Sequence, residues 1–336
     1  MGARHTASLL LLLLLAGCRP AMESSFDTYL IRLAAILDAE PPALDTPDTT
    51  PLPRQRDLML PLPELRVDLL DILTLSRCGL GREIAERNGP LGMSADHLTL
   101  LDYELTLVRR LEGCDSESPA TRQWLKALAR AKRAMLPLRA WNALASDPVL
   151  RRQLSPRPPL SDPDPASDQP LESLLHHWLQ LRQSAAGTLD WHEQGELLAL
   201  SAQLRDSGEL ARLLYTMESV TLWLKVTNRW LAPRLEALSC GPDPERVMRL
   251  RGALTHYYGK GVQPDLSRLE RRFLRLAPAL QRLMAPPAPL PALTSWHLRY
   301  GQGRESGLYL DFRHSISDHA HLWQRLLKRC QVGIRP

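Results

Sequence analysis

The chain has 336 residues, of which 44% are hydrophobic and 24% charged. That balance belongs to a globular protein with a buried core, and it excludes a disordered or fibrous chain. The formal net charge is +5 and the sequence pI about 9.1, yet the first eighteen residues point to export, so nucleic acid is not expected as a partner.

Arg4 precedes seven uninterrupted leucines, Leu9 to Leu15, and Ala16, Gly17 and Cys18 follow. A basic start, a short apolar run and small residues at the cut define a secretory signal. The run is far short of the roughly 20 residues that a membrane span needs. Leu15-Ala16-Gly17-Cys18 also matches the lipobox of bacterial lipoproteins. The expectation is a signal peptide over residues 1–17, acylation of Cys18, and a 319-residue mature chain held to a membrane by its lipid. The alternative is an ordinary signal peptide with a chance cysteine. Arg19, rather than Asp, follows the lipobox, which by the sorting rule of that class implies the outer membrane, facing the periplasm.

Phe26, Tyr29, Leu30, Leu33 and Leu37 recur at helical spacing and predict a helix from about Glu23 to Ala39. Residues 41–63 hold seven prolines, residues 156–170 six and residues 278–291 five; these mark the seams of the chain. In the first, Leu58, Leu60 and Leu62 alternate, which gives the extended segment one wall-facing side and lays it across the body. The expected organisation is therefore a lipidated N-terminus, helix and Pro-rich segment over 18–63, then a helical domain over 64–336 with a seam near 156–170. Within that domain the spacing predicts helices at 64–78, at 94–113 and from Ser118-Pro119 through Trp141, with a kink or break at Pro137. Further helices are expected around Leu171–Trp178, Leu197–Leu204, Leu210–Leu224 (ending before Pro233), after Asp243-Pro244, and from about Asp265 with a kink at Pro278. Trp296, Leu298 and Tyr300 alternate with polar residues, as do Leu308, Leu310 and Phe312, with glycines between. That pattern predicts a small C-terminal β-hairpin, followed by a last helix capped by Ser317. The fold class is mainly α: a multi-helix array or bundle with one β-hairpin.

Beyond Cys18 there are four cysteines, Cys78, Cys114, Cys240 and Cys330. An even number in an oxidising compartment reads as two disulfides. Of the three connectivities, Cys78–Cys114 with Cys240–Cys330 is favoured, because each cysteine ends a predicted helix and the first pair is local. Zinc is the rival reading, and the absence of any Cys-x-x-Cys pair weighs against it.

The densest group of chemistry-bearing residues is Asp311, His314, Asp318, His319 and His321. It could serve a metal or acid–base site, but His319 and His321 are two apart and diverge on a helix; the competing reading is an exposed first turn. His176-His177 are adjacent and share no face. His192-Glu193 begins a zinc-protease motif whose second histidine is missing. Ser306-Gly307 is one residue away from a nucleophile elbow, and Gly259-Lys260-Gly261 lacks the long loop of a phosphate cradle. No motif calls for a cofactor, and no metal site is expected. Arg246, Arg249 and Arg251, then Arg268, Arg271, Arg272 and Arg275, give basic helix faces that either take an anionic glycolipid or are simply solvated. Eight tryptophans against three phenylalanines read as core, or as a groove for sugar or peptide.

Several stretches carry a family resemblance. They are the lipobox, Leu60-Pro61-Leu62-Pro63, Arg77-Cys78-Gly79-Leu80, Glu86-Arg87-Asn88, Leu91-Gly92, and Trp323-Gln324 ahead of Cys330. The chain resembles proteobacterial envelope lipoproteins catalogued as a domain of unknown function. The resemblance implies an envelope lipoprotein with four structural cysteines and no activity. The sequence thus favours a non-enzymatic binding or accessory protein, with an envelope protein or anionic glycolipid as partner. The alternative is a hydrolase or transferase acting on wall or lipid through the Asp311–His321 region.

Overall fold

In the computed structural model, residues 21–63, 75–76, 78–158, 168–187, 194–241 and 243–333 are described. The expected leader with Cys18, most of the helix expected at 64–78, much of the seam at 156–170 and the His192-Glu193 pair lie outside them.

Local chemistry places the helix starts. Asp96, Ser118, Asp147, Asp243 and Ser306 each sit just outside a helix and accept a hydrogen bond from the backbone N–H three residues on, which satisfies one of the donors that a helix leaves open. Pro119, Pro148 and Pro244 follow three of these caps, where an N–H is not needed. The helices are α1 (Ala21–Leu37), α2 (Gln55–Leu58), α3 (Gly81–Asn88), α4 (Pro90–Met93), α5 (His97–Glu112), α6 (Pro119–Ser146) and α7 (Pro148–Gln153). They continue with α8 (Asp168–Ala185), α9 (Gln194–Gln203), α10 (Glu209–Ala237), α11 (Pro244–Gly252), α12 (Gln263–Leu283), α13 (Thr294–Trp296) and α14 (Gly307–Arg329). Between α11 and α12 the chain stays helical through a ten-residue π segment, Ala253–Val262.

The C-terminal β-hairpin is not present, and no strand occurs among the described residues. Residues 291–305 form short 3-10, α and π turns, and α14 begins at Gly307, capped by Ser306 rather than by Ser317. The alternation misled because it shared its outer positions with a helix. Trp296 and Tyr300 are buried while Leu298 between them is 52% exposed; Leu308 and Phe312 are buried while Leu310 is 48% exposed. A strand would have placed all three of each set on one face, whereas a helix pairs the residues four apart and turns the middle one outward. Three helices run through a proline: α10 continues past Pro233 rather than ending before it, and α6 and α12 continue past Pro137 and Pro278. Met135, Leu136, Ala140 and Trp141 are buried around Pro137, and Trp230, Leu231 and Leu235 around Pro233. That packing offsets the roughly 3 kcal/mol that an interior proline costs.

α5 packs along α6, α10 along α14, and α1 across the π segment. One large core joins α1, α6, α8, α10, α12 and α14, and Trp141, Trp178, Trp296 and Trp323 are fully buried in it. A smaller cluster of Leu75, Leu80, Leu107, Leu111, Leu125 and Ala129 lies beside the Cys78–Cys114 disulfide. Cys240 bonds to Cys330 and ties the chain beyond α10 to the end of α14. Arg329 Nη2 reinforces that tie by donating to the Leu238 carbonyl at 3.1 Å.

The Pro-rich segment after α1 runs across this body, fastened by side chains. Asn142 imitates a neighbouring strand: its Oδ1 accepts from Leu60 N–H at 2.8 Å and its Nδ2 donates to Leu60 C=O at 2.9 Å. Trp141 Nε1 donates to Leu58 C=O at 2.8 Å, Arg151 to Pro53 C=O at 2.8 Å, and Trp230 Nε1 to Glu40 C=O at 2.9 Å. Leu58 and Leu60 are buried beneath it. Asn142→Ala leaves both backbone groups of Leu60 buried without partners, and a stability loss of about 2 kcal/mol in urea unfolding is expected.

Candidate functional site

The π segment is where the long helix is least regular. Gly252, Gly259 and Gly261 lie in or beside it, and glycine is a weak helix former. Hydrogen bonds of the i→i+5 type widen the turn, and such segments concentrate at functional sites. Here the two adjacent tyrosines part company. Tyr257 sits under the Arg32 guanidinium, 5.4 Å from its ring centre, while Tyr258 is buried.

Tyr258 meets a hydrogen-bonded group built on His319 of α14. The two rings lie 4.7 Å apart, and Tyr29 of α1 lies 5.4 Å from Tyr258. His319 is fully buried. The Trp323 indole N–H, which can only donate, points at His319 Nε2 from 3.0 Å, so Nε2 carries the lone pair and no proton. Nδ1 therefore holds the proton and donates it to Asn228 Oδ1 at 2.6 Å. Asn228 Nδ2 in turn donates to the Ser315 carbonyl at 2.9 Å. Tyr29 Oη also approaches Nε2, at 3.0 Å. Burial lowers the His319 pKa to about 3 and pushes the Tyr258 phenol up to about 12. Burial, with the nearby Tyr258, likewise raises Tyr29 well above its ordinary value. The imidazole is thus neutral across the physiological range.

Tyr258 and Trp323, both fixed by this group, also line a groove of about 420 Å³ between the π segment, α12 and α14. Leu254, Leu266, Ile316 and Leu327 complete an apolar lining, and Gln263, Gln324, Glu270 and Arg313 bring polar groups to it. Glu270 accepts from Tyr309 Oη at 2.8 Å and from Arg313 Nη1 at 3.1 Å. An apolar cleft of this size with a few placed polar groups has the anatomy of a small-molecule site.

The other residues of the C-terminal His/Asp group do not converge. His314, Asp318 and His321 are exposed on α14. Asp311 accepts from Lys225 Nζ at 2.9 Å and Arg299 Nη1 at 2.9 Å; partial burial raises its pKa, but these two bonds outweigh it and hold the carboxyl below its ordinary value. Arg299 also grips the buried Glu218, with Nε 2.7 Å from Oε1. Among the described residues no group of three His, Cys, Asp or Glu is placed to hold a metal ion. Ser306 is a buried N-cap whose Oγ donates to Gly303 C=O at 2.7 Å. His177 hydrogen-bonds Ser173 C=O through Nδ1 at 2.8 Å and lies 3.3 Å from Glu196. On the basic helix faces Arg249, Arg268, Arg271 and Arg275 are exposed, while several of the arginines pair with carboxylates of the protein. Arg272 bonds Asp168 and the buried Glu209 at 2.7 Å each, Arg275 bonds Asp168 at 2.6 Å, Arg268 pairs with Asp265, and Arg246 lies 3.1 Å from Asp243. The groove went unseen in the sequence because three separate elements build it; the Gly252–Gly261 glycines around Tyr257-Tyr258 are the local signal that could have marked it.

Residues 26–334 match the model of a family described as a protein of unknown function (DUF3080). No curated protein and no solved structure matches the chain.

His319 also sets an acid limit on the fold. The unfolded histidine takes a proton near pH 6.5, but the folded one only near 3. Its contribution is therefore complete above pH 6.5 and is lost as pH falls toward 3. Replacing His319 by Ala strands the Trp323 N–H and the Asn228 carbonyl, and a loss of about 3 kcal/mol at pH 7 is expected. Urea midpoints measured between pH 7 and pH 4 should fall steeply in the native protein and more shallowly in the variant.

Proposed function

The chain belongs to the DUF3080 family of proteins of unknown function, and from its groove and its N-terminus we propose that it is a lipid-anchored, periplasm-facing envelope protein of accessory, non-enzymatic role that binds the acyl part of a membrane lipid. The observation that carries this reading is the apolar groove with a polar rim, close to where the anchored end joins the body. Ser25 in the second turn of α1 donates to Asp265 Oδ2 at 2.7 Å, and Asp265 sits in the same turn of α12 as Gln263 and Leu266, which line the groove. The seven residue steps from Cys18 to Ser25 span at most about 17 Å, given the rise of a helical turn and the reach of extended chain. A lipid on Cys18 would hold the bilayer surface near that end of the groove. The lipobox supports the anchor, since several acyl chains bind a membrane firmly where a single one does not.

A non-enzymatic role is favoured by the way the titratable groups are used. Asp311 is engaged by Lys225 and Arg299, His319 is buried and neutral, and the charged groups among the described residues lining the groove are the Glu270–Arg313 pair, closed on itself and on Tyr309. A hydrolase or transferase needs an acid–base pair that converges on open space. Among the described residues no helix is long and apolar enough to cross a membrane.

Two measurements test the proposal. Cys18→Ala should abolish incorporation of labelled palmitate and release the protein from the membrane fraction; a labelled variant would sink the anchor. Ala320, exposed on α14 and lining the groove, can be replaced by Trp to fill it. Native mass spectrometry of the gently extracted protein should show a non-covalent lipid that the filled variant lacks at an unchanged melting temperature. Absence of the lipid from the native protein, or a bound peptide in its place, would overturn the acyl assignment.

A further inference from the structure

Among the described residues, the buried glutamates follow an accounting that fails at one place. Glu209, with Asp168 and Glu172, meets Arg272, Arg275 and Arg212: three carboxylates and three guanidiniums. Glu218 and Asp311 meet Arg299 and Lys225, two and two. Glu104 of α5 is as deeply buried, at 4% exposure. It faces Lys132 Nζ at 3.1 Å and Arg139 Nη2 at 3.1 Å, both from α6 and both largely covered. Arg87 of α3 lines the same cavity, held by a bond from Nη1 to Gly92 C=O at 3.0 Å. Among the described residues lining this space, one carboxylate thus stands against three cations.

The space is a cavity of about 350 Å³, lined in addition by Asn88 and Tyr103 and by Leu75, Ile84, Leu107 and Leu128. Arg139 Nε is buried beside it with no hydrogen-bond partner. Removing cations from water is expensive unless opposite charge meets them, and a buried donor left unmet adds to the cost. One cation is enough to neutralise Glu104. Among the described residues, two more leave a formal excess of two positive charges around a hollow large enough for a ligand, on a scaffold closed by the Cys78–Cys114 disulfide in the neighbouring cluster. Arginine and lysine together are the pairing that grips phosphate oxygens, the first through its fork of donors and the second as a point charge.

We infer that the cavity between α3, α5 and α6 is a binding site for a phosphate group, whose dianion balances Arg87, Lys132 and Arg139 against Glu104. The site is separate from the groove and does not depend on the anchor. Either a free phosphate or a phospholipid headgroup could supply the group, and the two can be told apart. The full mature chain, in a neutral maltoside detergent, is titrated calorimetrically with inorganic phosphate and with water-soluble dihexanoyl phosphatidate, with chloride at equal ionic strength as the control. Saturable binding of at least one phosphate probe is expected, weakened at least tenfold by Arg87→Gln. Asn88 is exposed at the cavity edge, so Asn88→Glu brings a competing carboxylate there without touching the core and should weaken binding as much at an unchanged melting temperature. Tighter binding of the phosphatidate would assign the headgroup, and tighter binding of inorganic phosphate the free anion; either supports the site. If both probes bind no better than chloride, or if both variants bind as the native chain does, the inference is wrong.

Discussion

One lone pair, on Nε2 of His319, decides how four parts of the chain meet. Because the Trp323 indole can only donate to it, the imidazole must be neutral with its proton on Nδ1, and that proton fixes Asn228 of α10 in a single orientation. Tyr29 brings α1 to the same atom, and Tyr258 lays the π segment against the ring. In a medium of low polarity such a group has little freedom, since each partner left unmet costs on the order of 1–3 kcal/mol. The groove inherits this rigidity. Its Tyr258 and Trp323 are held from behind, so its shape is set before any ligand arrives, and a preformed site loses less on binding.

The abundant arginines make sense within the same economy of buried polarity. In the sequence they read as basic helix faces, either simply solvated or open to an anionic partner. In the fold, many join elements far apart in the chain. Arg272 links α12 to α8 and α10, Arg299 links the turns before α14 to α10, and Arg182 donates from α8 to the Ala285 carbonyl beyond the end of α12 at 2.6 Å. Such ties specify which helix lies beside which, more than they stabilise, because the cost of removing charges from water cancels much of their attraction. The arginine content of the sequence thus reports internal construction as well as surface.

What the sequence made legible follows from how local each signal is. Caps such as Ser118-Pro119 and Asp243-Pro244-Glu245, and apolar spacing such as Leu98, Leu101, Leu105 and Val108, depend on neighbours within two turns, and the helices they mark are present. Ser317 was a plausible cap only because the hairpin had been given residues 296–312; with that segment helical, the same serine falls in the middle of α14. His319 illustrates the deeper limit. Its neighbours in sequence are exposed and polar, and nothing near position 319 announces that Tyr29, 290 residues away, and Asn228, 91 residues away, will close over it. The groove and the cavity around Glu104 are likewise made of residues whose meeting is a property of the packing, not of any one segment.

The same separation in sequence governs the order in which the molecule can be completed. Helix α1 and the segment behind it are made early, yet several of their partners come late: Asp265 for Ser25, Tyr300 for the Thr50 backbone, His319 for Tyr29. Asn142 and Trp141 offer the Pro-rich segment an earlier hold, but until α14 has been made the surface that receives α1 is incomplete, and contacts of such long range form slowly. A chain of this design cannot complete the packing of its front end until synthesis is nearly over.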